Sequence, residues 1–307
     1  MNYYLAPLEG ITGYVYRNAY EKVFHNIDKY FTPFISPTQN KKLTSREKND
    51  ILPEHNQGMY VVPQILTNDA QYFLDTVQKL KDYGYEEVNL NLGCPSGTVV
   101  TKKKGAGFLG EPDMLHRFLE EIFQKSDVKI SIKTRVGIED TEEFFYLLKM
   151  FNEYPLEELL IHPRLQRDFY KGTPRYECYE WAIKESKHTL CYNGDIFTKE
   201  QFTQCKERFP KQEHWMLGRG IIGNPGLISE IKENHSMTME QFKQFHDEVY
   251  HGYEEIMSGE RNVLFKMKEL WFYMGRLFEE NKKELKQIKK CTRASEYEAI
   301  VGKLLEE

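Results

Sequence analysis

Asn89-Leu90-Asn91-Leu92-Gly93-Cys94-Pro95-Ser96-Gly97 is an extended apolar segment that stops abruptly on a small turn carrying a cysteine. The proline after the thiol forbids further sheet pairing, so Cys94 is displayed at the carboxyl end of a strand rather than packed in a core. A buried structural cysteine is the competing reading, and the company Cys94 keeps decides between the two.

Working outward, apolar runs rich in β-branched or aromatic residues recur at 3–6, 29–34, 60–66, 87–92, 129–134, 158–162, 189–192 and 214–217. Helical patterns lie between most of them, at 12–24, 69–83, 112–125, 141–154, 176–187 and 198–209. Strands alternating with helices predict parallel pairing, and eight such units predict a closed (β/α)8 TIM barrel. Thr198 reads as an N-cap and Pro112 suits a first helical turn. Residues 38–58 read as an irregular charged loop with a helical turn around 45–50.

Beyond Ser236 the strand pattern ceases, and the remaining chain reads as helices only. There Leu264, Met267, Leu270, Trp271, Met274, Leu277 and Phe278 recur at helical spacing as one packing face. The expected division is a barrel over 1–235 and a small all-helical domain over 236–307. A chain of 307 residues accommodates both, since single α/β barrels run to ~250 residues. The hydrophobic fraction of 40%, with 20 tyrosines and 19 phenylalanines, can fill a sizeable core. A mean hydropathy of -0.64 and an amino terminus without a signal pattern predict a soluble, cytoplasmic protein with no membrane association. Five scattered cysteines, with neither a Cys-x-x-Cys pair nor a zinc-spaced histidine cluster, imply no disulfide framework and no metal. The net charge of -5 lacks the basic balance of many nucleic-acid binders, so a polyanion would need a local basic surface.

Functional residues of such barrels sit at the carboxyl ends of strands. Here those ends carry Ala6-Pro7-Leu8-Glu9-Gly10, Pro63-Gln64, Cys94, Lys133-Thr134-Arg135, His162-Pro163-Arg164, Asn193-Gly194-Asp195 and Gly218-Arg219-Gly220. Glycines after strands seven and eight let backbone N–H groups approach a phosphate, and Arg219 adds a fixed cation. Lys133, an ammonium ending an apolar strand, is costly to bury without an electron-rich partner. A flavin's pyrimidine edge would supply one, with Gln64 bonding the same ring; a salt bridge within the barrel is the alternative. His162 would help hold cofactor or substrate, or serve only as a satisfied strand-end histidine.

In these motifs the chain resembles the tRNA-dihydrouridine synthases, flavin-dependent barrel enzymes with a small helical RNA-binding domain. The resemblance implies FMN contacts from Pro7, Leu8, Glu9, Gln64, Lys133, His162, Asn193, Gly194, Asp195, Gly218 and Arg219. It also implies that NADPH reduces FMN, that hydride passes to uracil C6, and that Cys94 is the acid for C5. The uracil would be flipped out of its stack, with Asn91, Lys133 and Arg164 as candidates for gripping it. Pro163 departs from the glycine common at that position in the family, which bears on substrate entry.

Two basic stretches point toward RNA. Lys102-Lys103-Lys104 sit beside Gly105 and Gly107, a loop expected to hinge over the substrate. Lys282, Lys283, Lys286, Lys289, Lys290 and Arg293 oppose a single acid, Glu284, at spacings that predict one helix face and a phosphate track. The expected partners are tRNA and NADPH, and the expected state is a monomer. Competing readings are a flavin reductase of a free pyrimidine, a synthase acting on ribosomal RNA, and a non-catalytic RNA-binding protein.

Overall fold

The computed structural model describes residues 1–39 and 42–306. Nine strands form one all-parallel sheet: β1 (Asn2–Leu5), β2 (Lys29–Phe31), β3 (Val61–Val62), β4 (Gln64–Ile65), β5 (Glu87–Leu92), β6 (Lys129–Arg135), β7 (Leu159–His162), β8 (Leu190–Tyr192) and β9 (His214–Leu217). Their order is β3-β2-β1-β9-β8-β7-β6-β5-β4. The third expected strand is one stave split at Pro63, which has no N–H to give to a ladder. Its halves pair in opposite directions, β3 with β2 and β4 with β5, and this closes the TIM barrel. The carbonyl of Pro63 accepts from the Asn89 N–H at 2.9 Å, and Thr32 Oγ1 accepts from the Gln64 N–H at 3.1 Å.

Residues two apart on a strand share a face, and the inward set is stacked in floors. At the amino-terminal end Lys29 Nζ lies 3.2 Å from both Glu87 carboxylate oxygens and 3.5 Å from Glu158. His214 Nδ1 lies 2.5 Å from Glu158. Above this ionic floor a buried plug of Tyr4, Ala6, Phe31, Val62, Leu160, Cys191 and Met216 fills the barrel. The plug stops below the carboxyl ends of the strands, so the mouth is left open.

Within the stretch expected to be irregular, Asn40 and Lys41 lie outside the described residues. The helix Ser45–Ile51 follows, fixed by a capping box in which Thr44 and Glu47 bond each other's backbone N–H.

After the Leu227–Glu233 helix, Asn234 adopts the left-handed conformation (φ 57°) that ends it. Thr238 then caps the Met239–Ile256 helix, followed by Glu260–Met274, Lys282–Lys290 and Ala294–Glu306. Phe245 packs on Tyr16 and Tyr20 of the Tyr14–Phe24 helix, with ring centroids 5.4 and 6.3 Å apart. The expected apolar face is buried from Leu264 to Met274, together with Phe278, but Leu277 is exposed. The helix tightens into a 3-10 turn, Gly275–Phe278, whose shorter period rotates Leu277 outward.

The expected basic helix also ends early, at Lys290, because Cys291 turns to an extended backbone (ψ 148°). Arg293 therefore does not share a helix with Lys282, Lys286 and Lys289. All four are exposed, while Glu284 is buried beside Lys303. Among the described residues no helix is long and apolar enough to cross a membrane.

Candidate active site

A cavity of about 500 Å3 opens at the carboxyl ends of the strands. Pro7, Leu8 and Glu9 after β1, Gln64 on β4, Lys133 on β6 and His162 on β7 all line it. So do Asn193, Gly194 and Asp195 after β8, and Gly218 and Arg219 after β9, together with Asn91 and Cys94. Parallel strands end on one side of the barrel, which brings residues spread over more than 200 positions to one mouth.

Cys94 is half-buried on its turn. Asn91 Oδ1 accepts from the N–H groups of Gly93 (3.0 Å) and Cys94 (2.9 Å), so the last inward residue of β5 folds the chain back under the thiol. Arg135 Nε donates to the Gly93 carbonyl at 2.9 Å, and its Nη1 donates to the Leu165 carbonyl at 2.8 Å, tying the turn to the neighbouring loop. Burial pushes the Cys94 thiol up, against smaller opposing effects of the Ser96 N–H and Arg135.

The loop of Lys102, Lys103 and Lys104 packs directly on this turn. The Ala106 N–H donates to the Cys94 carbonyl at 3.0 Å, and a Cβ on Gly105 (φ 55°) would meet that carbonyl at 2.9 Å. A Cβ on Gly107 would likewise meet the Val100 carbonyl at 2.7 Å, so both glycines allow close backbone approach. Lys103 pairs with Glu111 at 2.7 Å, and none of the three lysines lines the cavity.

An amide ladder crosses the wall of the mouth. Asn91 Nδ2 donates to Gln64 Oε1 (2.7 Å), Gln64 Nε2 to Asn89 Oδ1 (2.8 Å), and Asn89 Nδ2 to Ser131 Oγ (3.0 Å). Asn91 is consequently engaged at both ends of its side chain and acts as a positioning residue for the turn. Lys133, next on β6, has no carboxylate at ion-pair distance among the described residues. Burial, then Arg135, push its ammonium down to about 8.

His162 Nε2 faces Arg164 Nη1 at 3.1 Å. A guanidinium only donates, so Nε2 accepts and the ring proton sits on Nδ1. Burial, followed by the cations Arg135, Lys133, Arg164 and Arg219, holds His162 well below the usual histidine range and therefore neutral.

Arg164 itself is fully buried and does not line the cavity. Its guanidinium donates to both Asp195 oxygens (3.0 and 2.6 Å) and to the carbonyls of Lys171 (3.2 Å) and Gly172 (2.5 Å). Rather than gripping a base, as its place in the motif suggested, it positions Asp195. Arg219 donates to Asp195 Oδ1 at 2.6 Å and lies 4.6 Å over the Tyr170 ring, with its remaining donors beside the cavity. The N–H groups of Gly194, Asp195 and Gly218 bond no backbone carbonyl among the described residues. Such N–H groups beside a guanidinium make a place for an oxyanion. Gly220 is needed because any Cβ there would collide with the Ile196 carbonyl.

Arg135, Tyr170, Phe272, Tyr273 and Arg276 also line the cavity and were not picked out from the sequence as site residues. Tyr170 stands in an irregular loop, and the last three lie at the end of a helix whose periodicity reports only its packing face. Arg135 belonged to a quoted motif, and its strand position two residues after Lys133 was the available signal.

The family model described as "Dihydrouridine synthase (Dus)" matches residues 4–305. The tRNA-dihydrouridine(16) synthase of Aquipseudomonas alcaligenes is 26% identical over 235 residues, 74% of either chain. The probable tRNA-dihydrouridine synthase of Staphylococcus aureus (strain COL) is 27% identical over 261 residues, 82% of this chain and 78% of the relative. Among solved structures, morphinone reductase superposes with a TM-score of 0.54 at 12% identity, covering 80% of this chain and 88% of the other. That likeness speaks for the barrel alone, whereas the family match spans nearly the whole sequence. The chain belongs to the dihydrouridine synthase family.

Proposed function

We propose that this protein reduces a uridine of tRNA to 5,6-dihydrouridine, with FMN as bound cofactor, NADPH as reductant and Cys94 as general acid. The observation that carries the reading is the convergence of the Cys94 thiol and the Lys133 ammonium, without a carboxylate partner among the described residues, on one cavity.

The residues present suit FMN. A cavity of about 500 Å3 falls in the range of ligand pockets, ~300–1,000 Å3. The uncompensated ammonium of Lys133 suits the electron-rich pyrimidine edge of an isoalloxazine, and Gln64 and His162 add polar atoms on the same wall. Arg219 and the N–H groups after β8 and β9 suit its phosphate. Pro7, Leu8 and Glu9 close the opposite side, Glu9 being held by Arg46. When bound, FMN supplies the hydride for uracil C6.

The protein must then supply a proton at C5 and exclude water. A thiol pushed up by burial keeps its proton at neutral pH, which is the state an acid requires. Asn91 and Arg135 hold the turn so that the sulfur stays at the cavity rather than in the plug beneath it. The names of the relatives favour tRNA as substrate. We assign residues 1–235 to the catalytic unit and 236–307 to RNA binding, with Lys282, Lys286, Lys289 and Arg293 as exposed phosphate contacts, and Lys102 to Lys104 near the substrate's path.

The test is to incubate unmodified tRNA with the protein and NADPH and to map dihydrouridine by mass spectrometry. A single converted uridine is expected. Reduction of free uridine as readily as tRNA, or a colourless protein inert to NADPH, would overturn the reading.

A further inference from the structure

The Glu260–Met274 helix carries a second surface besides its packing face. At about 100° per residue, Arg261, Phe265, Lys268 and Phe272 fall within roughly 60° of one another on the helix. Phe265 is 51% exposed and Phe272 is 77% exposed. Phe272 meets only the edge of the neighbouring Tyr273 ring, 5.1 Å between centroids, which leaves most of its surface in water, and isolated exposed apolar residues would not need to share a stripe.

Cations flank this stripe. The Arg261 guanidinium lies 5.3 Å from the Phe265 ring centre, and Lys268 Nζ lies 6.0 Å from it. Arg276 continues the line one turn beyond Phe272, its guanidinium 5.1 Å from the Phe197 ring centre, and neither Arg261 nor Arg276 has a carboxylate at ion-pair distance among the described residues. The stripe also leads to the site: Phe272 and Arg276 line the barrel-mouth cavity itself.

Exposed aromatic rings with a guanidinium at either end, running from the rim of a cavity that would take a flipped base, match a single-stranded polynucleotide. Every base offers a face to stack, and every nucleotide brings a phosphate. We infer that this ridge is a stacking platform for the unpaired nucleotides beside the target uridine. Phe272 takes the base next to the target at the mouth, and Phe265, about 10 Å along the helix, takes one further out. Arg261 and Arg276 hold phosphates at the two ends of the platform. The ridge is separate from the Lys282–Lys290 helix, and the inference rests on the proposed action on tRNA.

The experiment measures the affinity of an unmodified tRNA transcript for the full-length protein by fluorescence anisotropy across a salt series. Phe265→Ala and Phe272→Ala should each weaken binding about tenfold without changing the salt dependence. Phe272→Trp, which keeps a stacking face, should retain affinity and so separates lost stacking from a damaged fold. Arg261→Ala should lower the slope of log affinity against log salt by about one. Wild-type affinity in the Phe265→Ala/Phe272→Ala double variant would overturn the ridge. So would an altered sedimentation of that variant with tRNA binding intact, which would assign the surface to a protein contact. Failure of the wild-type protein to bind tRNA would overturn the proposed function instead.

Discussion

Asn91 holds Cys94 in place through a single oxygen: its Oδ1 accepts from the Cys94 N–H at 2.9 Å while also accepting from Gly93 at 3.0 Å. The last inward side chain of β5 is thus the clamp of the turn that displays the thiol. Its amide nitrogen continues into Gln64, so the clamp is itself held by the wall of the mouth.

Removing that clamp should separate acid chemistry from cofactor binding. Asn91→Ala leaves two amide donors unpaired on the turn, at a cost of roughly 1–3 kcal/mol. Product formation from the reduced enzyme should fall at least tenfold, while flavin content measured by absorbance stays near wild type. Asn91→Asp keeps the acceptor for the turn but loses the donor to Gln64, so it should recover only part of the activity. Equal activity of wild type and Asn91→Ala would show that the turn needs no clamp.

Lys133 predicts a conflict between stability and binding. Its ammonium is desolvated without a carboxylate, so Lys133→Met should stabilise the cofactor-free protein by about 1 kcal/mol in urea titrations. The same change should weaken FMN binding by tenfold or more, the scale of one lost charged hydrogen bond. A variant that binds FMN normally would place the ammonium away from the ring.

Asp195 joins two guanidiniums, and only Arg164 is fully buried. Asp195→Ala leaves that buried cation with only neutral partners, the carbonyls of Lys171 and Gly172 and the His162 ring. A loss of about 2 kcal/mol is expected, discounted from the full penalty of a broken buried pair because Asp195 is partly exposed. Denaturant unfolding of the variant checks it, and a loss below 0.5 kcal/mol, about the noise of the comparison, would contradict the arrangement.

Two buried histidines set an acid limit. Burial comes first among the causes that hold His162 and His246 below the ordinary histidine range. For His246 the hydrogen bonds agree: Trp271 Nε1 donates to Tyr297 Oη, which leaves the Tyr297 proton for His246 Nε2 at 2.6 Å. As pH falls, the unfolded chain therefore takes up these protons before the folded one does. Stability is full above ~6.5 and is lost below it, by up to about 1.4 kcal/mol per pH unit for each histidine. Urea midpoints at pH 7.5 and 5.5 should show the decline, and His246→Gln should flatten it. Greater stability at pH 5.5 would contradict the neutral assignments.

Much of the barrel was legible because parallel strands buried on both faces read as short apolar runs. The bounds 87–92 and 214–217 and the helix 112–125 agree with the structure to the residue. Pro63 stood in plain view, yet the pattern of apolar residues runs through it, and only the missing N–H reveals a split stave. The helix end at Cys291 escaped because charge spacing carries no signal for where a helix stops. The strand-end motifs gather around one cavity because topology alone brings them there. What spacing cannot convey is which donors are already engaged: Arg164 sits among motif residues but its guanidinium turns inward to Asp195. Phe272 and Arg276 were invisible for another reason, since it is the docking of the Glu260–Met274 helix on the Arg219–Gly223 segment after β9 that brings them to the mouth.

The most direct measurement compares wild type with Cys94→Ala in a single turnover: enzyme reduced beforehand by NADPH is mixed with unmodified tRNA, and dihydrouridine is counted against time. The account predicts that Cys94→Ala keeps its flavin and its reduction by NADPH yet forms dihydrouridine at least a hundredfold more slowly, the lower end of what a positioned acid contributes, ~10²–10⁴-fold. Dihydrouridine formed at the wild-type rate by Cys94→Ala, or a variant that has lost its colour, would contradict it.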